Sequence, residues 1–266
     1  MGEPMAFIEV EDRGHLRILK LNRPEVRNAM SAPMMAELMA ALDAAEADRD
    51  VRVVVLTGEG AAFCGGLDVE ELKAMSTRSP EQHRADAMAF ANMLERIYRF
   101  PKPTFAAVNG HAVGAGAGMI CACDFAVQDA KAKVGFTEAK IGFVAAVVAV
   151  FVMRQLPEKH ARDLLLTARL VGAEEAARMG LVTEAVAEGQ ALSRALKLAE
   201  AVTSNAPMSL RVTKQMLADA PHQSLQDGLK QAAEWNAAAR GSASLKEGVT
   251  AFLEKRSPDW NAVEER

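Results

Sequence analysis

The sequence predicts an α/β fold followed by a helical C-terminal region, and three observations carry that expectation. A strand, a glycine-bearing turn and a helix start succeed one another at Val51–Met75 and again at Pro103–Asp124. Short apolar runs bounded by Gly, Asn and Pro recur up to about residue 190. Beyond Gln190 the pattern is almost purely helical. Half of the 266 residues are apolar, enough to build a sizeable core. We therefore expect a mixed core over residues 1–190 and a helical region over 191–266. No linker rich in Pro, Gly and Ser separates them, so the tail should pack on the core or on a neighbouring subunit.

Taken in order, Phe7–Glu11 alternates, Arg13-Gly14-His15 turns, and Leu16–Leu21 returns with the same period, which predicts a hairpin. Asn22–Ala29 is a loop. Ser31 is placed to cap a helix with Pro33 in its first turn, and Met35, Leu38, Met39 and Leu42 share a face of it. Val51–Thr57 has the composition of a buried strand. Gly65-Gly66-Leu67-Asp68 then leads into a short helix over Val69–Met75. Ser79 and Pro80 open a long helix that ends before Pro101. Thr104–Val108 is a strand, broken by Asn109-Gly110, and a helix resumes by Met119. Phe125–Val127 reads as a short strand, and residues 145–155, 158–167 and 173–179 as helices. A strand over residues 181–186 precedes four tail helices at 191–204, 207–218, 225–240 and 244–255.

Composition narrows the function classes. The net charge is -4 and no long basic run exists, so nucleic acid is not the expected partner. The longest apolar run, Ile141–Met153, falls short of the roughly 20 residues of a membrane span. The acidic stretch at residues 1–15 has no apolar segment of the kind a secretion signal needs, so a cytoplasmic setting is expected. Cys64, Cys121 and Cys123 lack C-x-x-C spacing. They read as buried thiols of a reducing compartment rather than as metal ligands.

The chemistry concentrates around the glycines. Gly114, Gly116 and Gly118 alternate with Ala115 and Ala117 at the start of a helix. First-turn amides there have no partner within the helix and lie at its positive end, where an anion or a developing oxyanion can be held. The other reading of this stretch is close helix–strand packing without a ligand. It fits the dinucleotide fingerprint poorly, because Met119 stands where a third glycine belongs. The turn at Gly65–Asp68 is a second site of the same kind, and two such turns can supply two amides to one oxygen. Glu138 lies between Val134-Gly135-Phe136 and Ile141-Gly142-Phe143-Val144. An apolar setting raises a carboxyl pKa and fits the group for acid–base work near neutrality. Pairing with Lys133 or Lys140, or capping a helix, is the alternative for Glu138. Asp68 reads as a helix-start residue, His111 as structural, and Asp124 as the tie of a strand start.

Five segments carry a resemblance to a known family. They are LNRPEVRNAMS (Leu21–Ser31), VVVLTGEGAAFCGGLDV (Val53–Val69), KPTFAAVNGHAVGAGAGM (Lys102–Met119), GFTEAKIGF (Gly135–Phe143) and FLEKRSP (Phe252–Pro258). In this order they resemble the crotonase superfamily, the enoyl-CoA hydratase/isomerase group. The resemblance implies a spiral of repeated β-β-α units, a C-terminal helical trimerisation region, and trimers or dimers of trimers. It implies oxyanion donors at Leu67 and Gly114 and an acid–base residue at Glu138. CoA contacts are implied at Arg27, Ala29, Gly66, Leu67, Asp68, Val69, Glu70 and Gly114, with Phe252 and Lys255 reaching a neighbouring subunit's ligand. No cofactor beyond the substrate's own CoA, and no metal, is implied. One position departs: where many family hydratases carry a second glutamate, this chain has Gly118. Hydration of an enoyl-CoA is the expected activity, with Δ3,Δ2 double-bond isomerisation, or hydration of a branched or carboxylated enoyl-CoA with a single glutamate, as the alternatives. A fold that binds acyl-CoA without turnover is the reading from another class.

Overall fold

The computed structural model describes residues 6–263. Residues 1–5 of the acidic N-terminal stretch, and 264–266 of the tail, lie outside the described residues. The chain opens with the expected hairpin, β1 (Ile8–Arg13) and β2 (Leu16–Leu21), paired antiparallel from Ile8↔Leu21 to Arg13↔Leu16. Helix α1 (Ala32–Ala47) follows, and Ser31 caps it by accepting a hydrogen bond from the Met34 amide. Met34, Leu38, Leu42 and Ala45 form its buried face. The predicted Met35 and Met39 lie to the side, partly buried. Next come β3 (Val53–Gly58), β4 (Ala62–Cys64), α2 (Val69–Met75) and α3 (Pro80–Tyr98). Ser79 and Gln82 close a capping box at the start of α3.

The glycine-rich region builds β5 (Thr104–Val108), β6 (His111–Val113) and α4 (Ala115–Ala122). Then β7 (Phe125–Asp129) and β8 (Lys133–Gly135) lead through a 3-10 turn at Glu138–Ile141 into α5 (Ala146–Gln155) and α6 (Glu158–Thr167). The remainder is β9 (Leu170–Gly172), α7 (Ala173–Met179), β10 (Glu184–Val186), α8 (Ala191–Thr203), α9 (Pro207–Asp219), α10 (Leu225–Arg240) and α11 (Ala243–Glu254).

Two sheets result. The larger runs β1-β2-β3-β5-β7-β10, parallel from β2 onward, and the smaller runs β4-β6-β8-β9. Each of three successive units adds one strand to the large sheet and the next to the small one: β3 then β4, β5 then β6, β7 then β8. This is the spiral of strand–strand–helix units that the resemblance implied. The small sheet could not be read from sequence, because its strands are three residues long and carry no period.

Strand alternation divides the core in two. Leu19, Leu21, Val54, Leu56, Ala106, Val108 and Ala126 point to the main core with α1, α3, α4 and α5. Leu16, Ile18, Val53, Val55, Phe105, Ala107 and Val127 face the other way, and Ala191, Ala195, Leu196 and Ala199 of α8 cover them. The first helix beyond residue 190 therefore packs on the core sheet. Helix α9 is tied down by its buried Lys214: Nζ donates to Asp124 Oδ2 at 2.6 Å, and to Thr104 Oγ1 and the Lys102 carbonyl at 3.2 Å. Asp124 Oδ2 also accepts from the Thr104 amide at 2.7 Å, so it fixes the start of β5 as expected.

Candidate active site

The order of the small sheet makes the site. Because β4, β6 and β8 are neighbours, the segments leaving their C-terminal ends are neighbours too. These are Gly65–Asp68, Gly114 and Phe136–Glu138. A Cβ on Gly66 would stand 3.3 Å from the Val113 carbonyl oxygen, which joins the first segment to the second. A Cβ on Gly114 would stand 3.2 Å from Glu138 Oε1, which joins the second to the third. Gly114 has φ +53°, a conformation that side-chain-bearing residues rarely adopt.

The Leu67 amide is left unpaired. Residues 66–68 pair with Met30 as in a parallel ladder: the Met30 amide donates to Gly66 O at 2.7 Å and the Asp68 amide to Met30 O at 2.9 Å. Alternate amides of an extended segment face opposite sides, so the Leu67 N–H points away from Met30. Among the described residues it has no hydrogen-bond partner. The Gly114 expectation requires correction. Its amide donates to Gly135 O at 3.0 Å, as part of the β6–β8 ladder, and is not free for a ligand. The free amides at this helix start are those of the first turn of α4, beginning with Ala115. Gly114 itself contributes the space for the Glu138 carboxyl.

Glu138 is half-buried, and its Oε2 is buried with no hydrogen-bond partner among the described residues. Among the described residues it forms no ion pair with Lys133 or Lys140, and both lysines are exposed. Burial pushes its pKa above the ordinary glutamate value; the opposing pull of its own backbone is weaker. The other acids are committed elsewhere. Asp68 caps α2 by accepting from the Glu70 amide at 2.8 Å and pairs with Arg23 at 2.7 Å. Burial opposes its ionisation, but these two partners prevail and hold its carboxyl below the usual range. Glu70 pairs with Lys73, and Glu71 with Arg78. His111 Nδ1 accepts from the Lys133 amide, a structural role.

Gly118 is not an empty position. A Cβ there would stand 2.5 Å from Val148 Cγ1 and 3.3 Å from Leu94 Cδ1. Apolar atoms occupy the place of a second carboxyl. Val148 is thus a core residue, whereas Phe143 and Val144 are exposed just after the Glu138 turn.

The implied CoA-contact segment is assembled. The Gly65 amide donates to Arg27 O at 2.8 Å, which sets Arg27–Ala29 beside Gly66–Glu70. Arg27 and Asn28 have φ +57° and +54°. The buried Asn28 side chain holds the bend: it accepts from the Arg23 amide at 2.8 Å and donates to Glu59 O and Ala62 O at 2.9 and 2.8 Å. Sequence reasoning passed over Asn28 and Arg23, although both stand inside the LNRPEVRNA segment. Val69 and Glu70 are exposed at its rim. Phe252 and Lys255 lie elsewhere, at the end of α11. Phe252 is 82% exposed and so is no core residue, and Lys255 is also exposed.

Two free amides on converging turns, with one desolvated carboxyl beside them, define an acid–base enzyme acting next to a polarised carbonyl. The comparisons with known proteins agree, and the chain belongs to the enoyl-CoA hydratase/isomerase family, whose sequence model matches residues 11–263. It is 48% identical over 252 residues to a putative enoyl-CoA hydratase of Thermus thermophilus, covering 95% of this chain and 99% of that one. It is 36% identical over 255 residues to the enoyl-CoA hydratase EchA19 of Mycobacterium tuberculosis, covering 94% and 95%. Among solved structures, AtuE of Pseudomonas aeruginosa superposes with a TM-score of 0.91 at 36% identity, over 96% of this chain and 99% of that one. The fold is that of the crotonase superfamily.

Proposed function

We propose that this enzyme adds water across the 2,3-double bond of an enoyl-CoA thioester. The thioester oxygen sits between the Leu67 and Ala115 amides. Ionised Glu138 takes a proton from water as the water oxygen bonds to C3. The π electrons move onto the thioester as an enolate, which the two amides stabilise. Glu138 then returns the proton to C2, so one carboxyl serves as base and acid. Removing one donor from a well-studied oxyanion hole costs about 2.7–4 kcal/mol, which sets the scale for each amide.

The observation that carries this reading is the Glu138 carboxyl, with Oε1 against Gly114 and Oε2 buried without a partner. Its test is Glu138→Gln assayed on crotonyl-CoA. Turnover should fall by at least about 10³-fold while CoA-ester binding persists. Turnover near the wild-type rate would exclude Glu138 as the proton carrier.

One observation favours double-bond isomerisation as a second reading. Val148 and Leu94 fill the space at Gly118, and moving a proton between two carbons needs a single carboxyl. Rates on a 2-enoyl-CoA with water and on a 3-enoyl-CoA separate the two. Assembly as a trimer or a dimer of trimers is supported by the exposed Leu217, Leu225, Leu229, Phe252 and Leu253 of the tail. In such an assembly Phe252 and Lys255 would meet the CoA of a neighbouring subunit. Three buried free thiols support a cytoplasmic setting. The described residues include no helix long and apolar enough to cross a membrane.

A further inference from the structure

A buried negative charge stands next to the amide assigned to the thioester oxygen. Asp68 follows Leu67 directly and is 7% exposed. Both of its oxygens are used: Oδ1 accepts from the Glu70 amide at 2.8 Å, and Oδ2 accepts from Arg23 Nη1 at 2.7 Å. The same Arg23 nitrogen donates to the Ala29 carbonyl at 2.9 Å. Beyond these contacts, the Arg23 guanidinium lies 5.5 Å from the centre of the Phe7 ring. Arg23 therefore joins the loop carrying Ala29 to the turn carrying Leu67, across 45 residues of sequence.

The electrostatics at this point conflict. A carboxylate at residue 68 suits the start of α2, where it caps the first amides. The same carboxylate, one residue from Leu67, opposes growth of negative charge on an oxygen bound by the Leu67 amide. Within roughly 6–8 Å, at an effective dielectric of about 20, one uncompensated charge changes a rate by about 30- to 100-fold.

We propose that Arg23 is a positioning residue of the oxyanion hole. It cancels the Asp68 charge while leaving the carboxylate in place as a helix cap. It also clamps Asp68 to Ala29, so that the Leu67 N–H faces the thioester oxygen with no net negative charge beside it. The proposal rests on the reading of Leu67 as an oxyanion donor.

The test compares Arg23→Gln, Arg23→Lys and the double variant Arg23→Gln/Asp68→Asn with the wild type. Steady-state kinetics on crotonyl-CoA and thermal unfolding are measured for each. Arg23→Gln should lower kcat about 30- to 100-fold, with KM moved less than about threefold. Arg23→Lys, which restores the charge, should recover most of that loss. The double variant should exceed Arg23→Gln in kcat by about tenfold or more, because asparagine keeps the cap and removes the charge. A purely structural role predicts the reverse, with the double variant no faster than the single one and kcat tracking the unfolding midpoint. That result, or an Arg23→Gln kcat within about twofold of wild type, overturns the proposal. A wild type that turns over neither enoyl-CoA isomer sinks the functional reading instead. The Arg23 proposal is then judged by affinity for the enolate form of a 3-ketoacyl-CoA, where the same order of variants is expected and any other order overturns it.

Discussion

The filling of space at Gly118 makes a quantitative prediction. Gly118→Ala would set a methyl carbon 2.5 Å from Val148 Cγ1 and 3.3 Å from Leu94 Cδ1. Val148 is 2% exposed on α5, so its side chain has no solvent to swing into. Overpacking of this kind costs about 1–3 kcal/mol. The better helix propensity of alanine offsets about 1 kcal/mol of it. The net loss is about 0–2 kcal/mol, a fall in Tm of up to about 8 °C for a chain of this length. Val148→Ala alone removes two buried methyl groups and leaves a cavity, for about 2–3 kcal/mol. In the double variant the new methyl enters the space that valine vacates. The double variant should therefore be less destabilised than the sum of the single ones by about 1–2 kcal/mol. Urea unfolding of the four proteins at one concentration measures this coupling, with concentration fixed because assembly shifts midpoints. Additivity within about 0.5 kcal/mol would refute the contact, and with it the claim that apolar atoms stand where a second acid would be.

Four further outcomes follow from the site. Glu138 must be ionised to accept a proton, and burial raises its pKa, so kcat should fall with decreasing pH through a value above the ordinary glutamate 4.5. The sign for stability is opposite: a raised folded pKa favours the protonated form, and its stabilisation is lost as pH rises through that value. Glu138→Gln should thus unfold at a higher temperature than wild type at neutral pH, and the difference should close in acid. Gly114→Ala meets both φ +53° and the Glu138 carboxyl 3.2 Å away; about 1–3 kcal/mol of strain and a 10- to 100-fold drop in kcat are expected by calorimetry and steady-state assay. Asn28→Ala removes three hydrogen bonds and places alanine at φ +54°. It should cost about 2–4 kcal/mol in urea unfolding and raise KM if the Arg27–Ala29 bend meets the CoA as the resemblance implies.

Long elements were legible in the sequence because their signals are local. Ser31 and Ser79 mark helix starts within a few residues of the bonds they make. Val53–Leu56 can only be a strand buried on both faces, and α8 on one side with the main core on the other confirm it. The desolvated setting of Glu138 was legible from its apolar flanks. The Gly114 amide was not, because its partner Gly135 lies 21 residues on, in a strand too short to announce itself. Gly118 presents a gap in the sequence and none in the fold, since Val148 and Leu94 come from helices on either side in the chain. The Arg23–Asp68 pair was missed for the same reason: no period connects two charges that meet only through tertiary packing.

The two halves of the site differ in what supports them. Strand ladders and the core fix both amides: Leu67 is braced through Met30, and Ala115 is joined to β6 through Gly114, whose own amide pairs with Gly135. Glu138 instead rides a single surface turn that buries no residue and runs straight into the exposed Ile141, Phe143 and Val144. The part proposed to hold the carbonyl is permanent architecture, whereas the proposed proton carrier is a detachable fitting. On the proposed mechanism, relocating the acid to another stretch of the rim would change which carbon is protonated while the same frame went on gripping the same thioester.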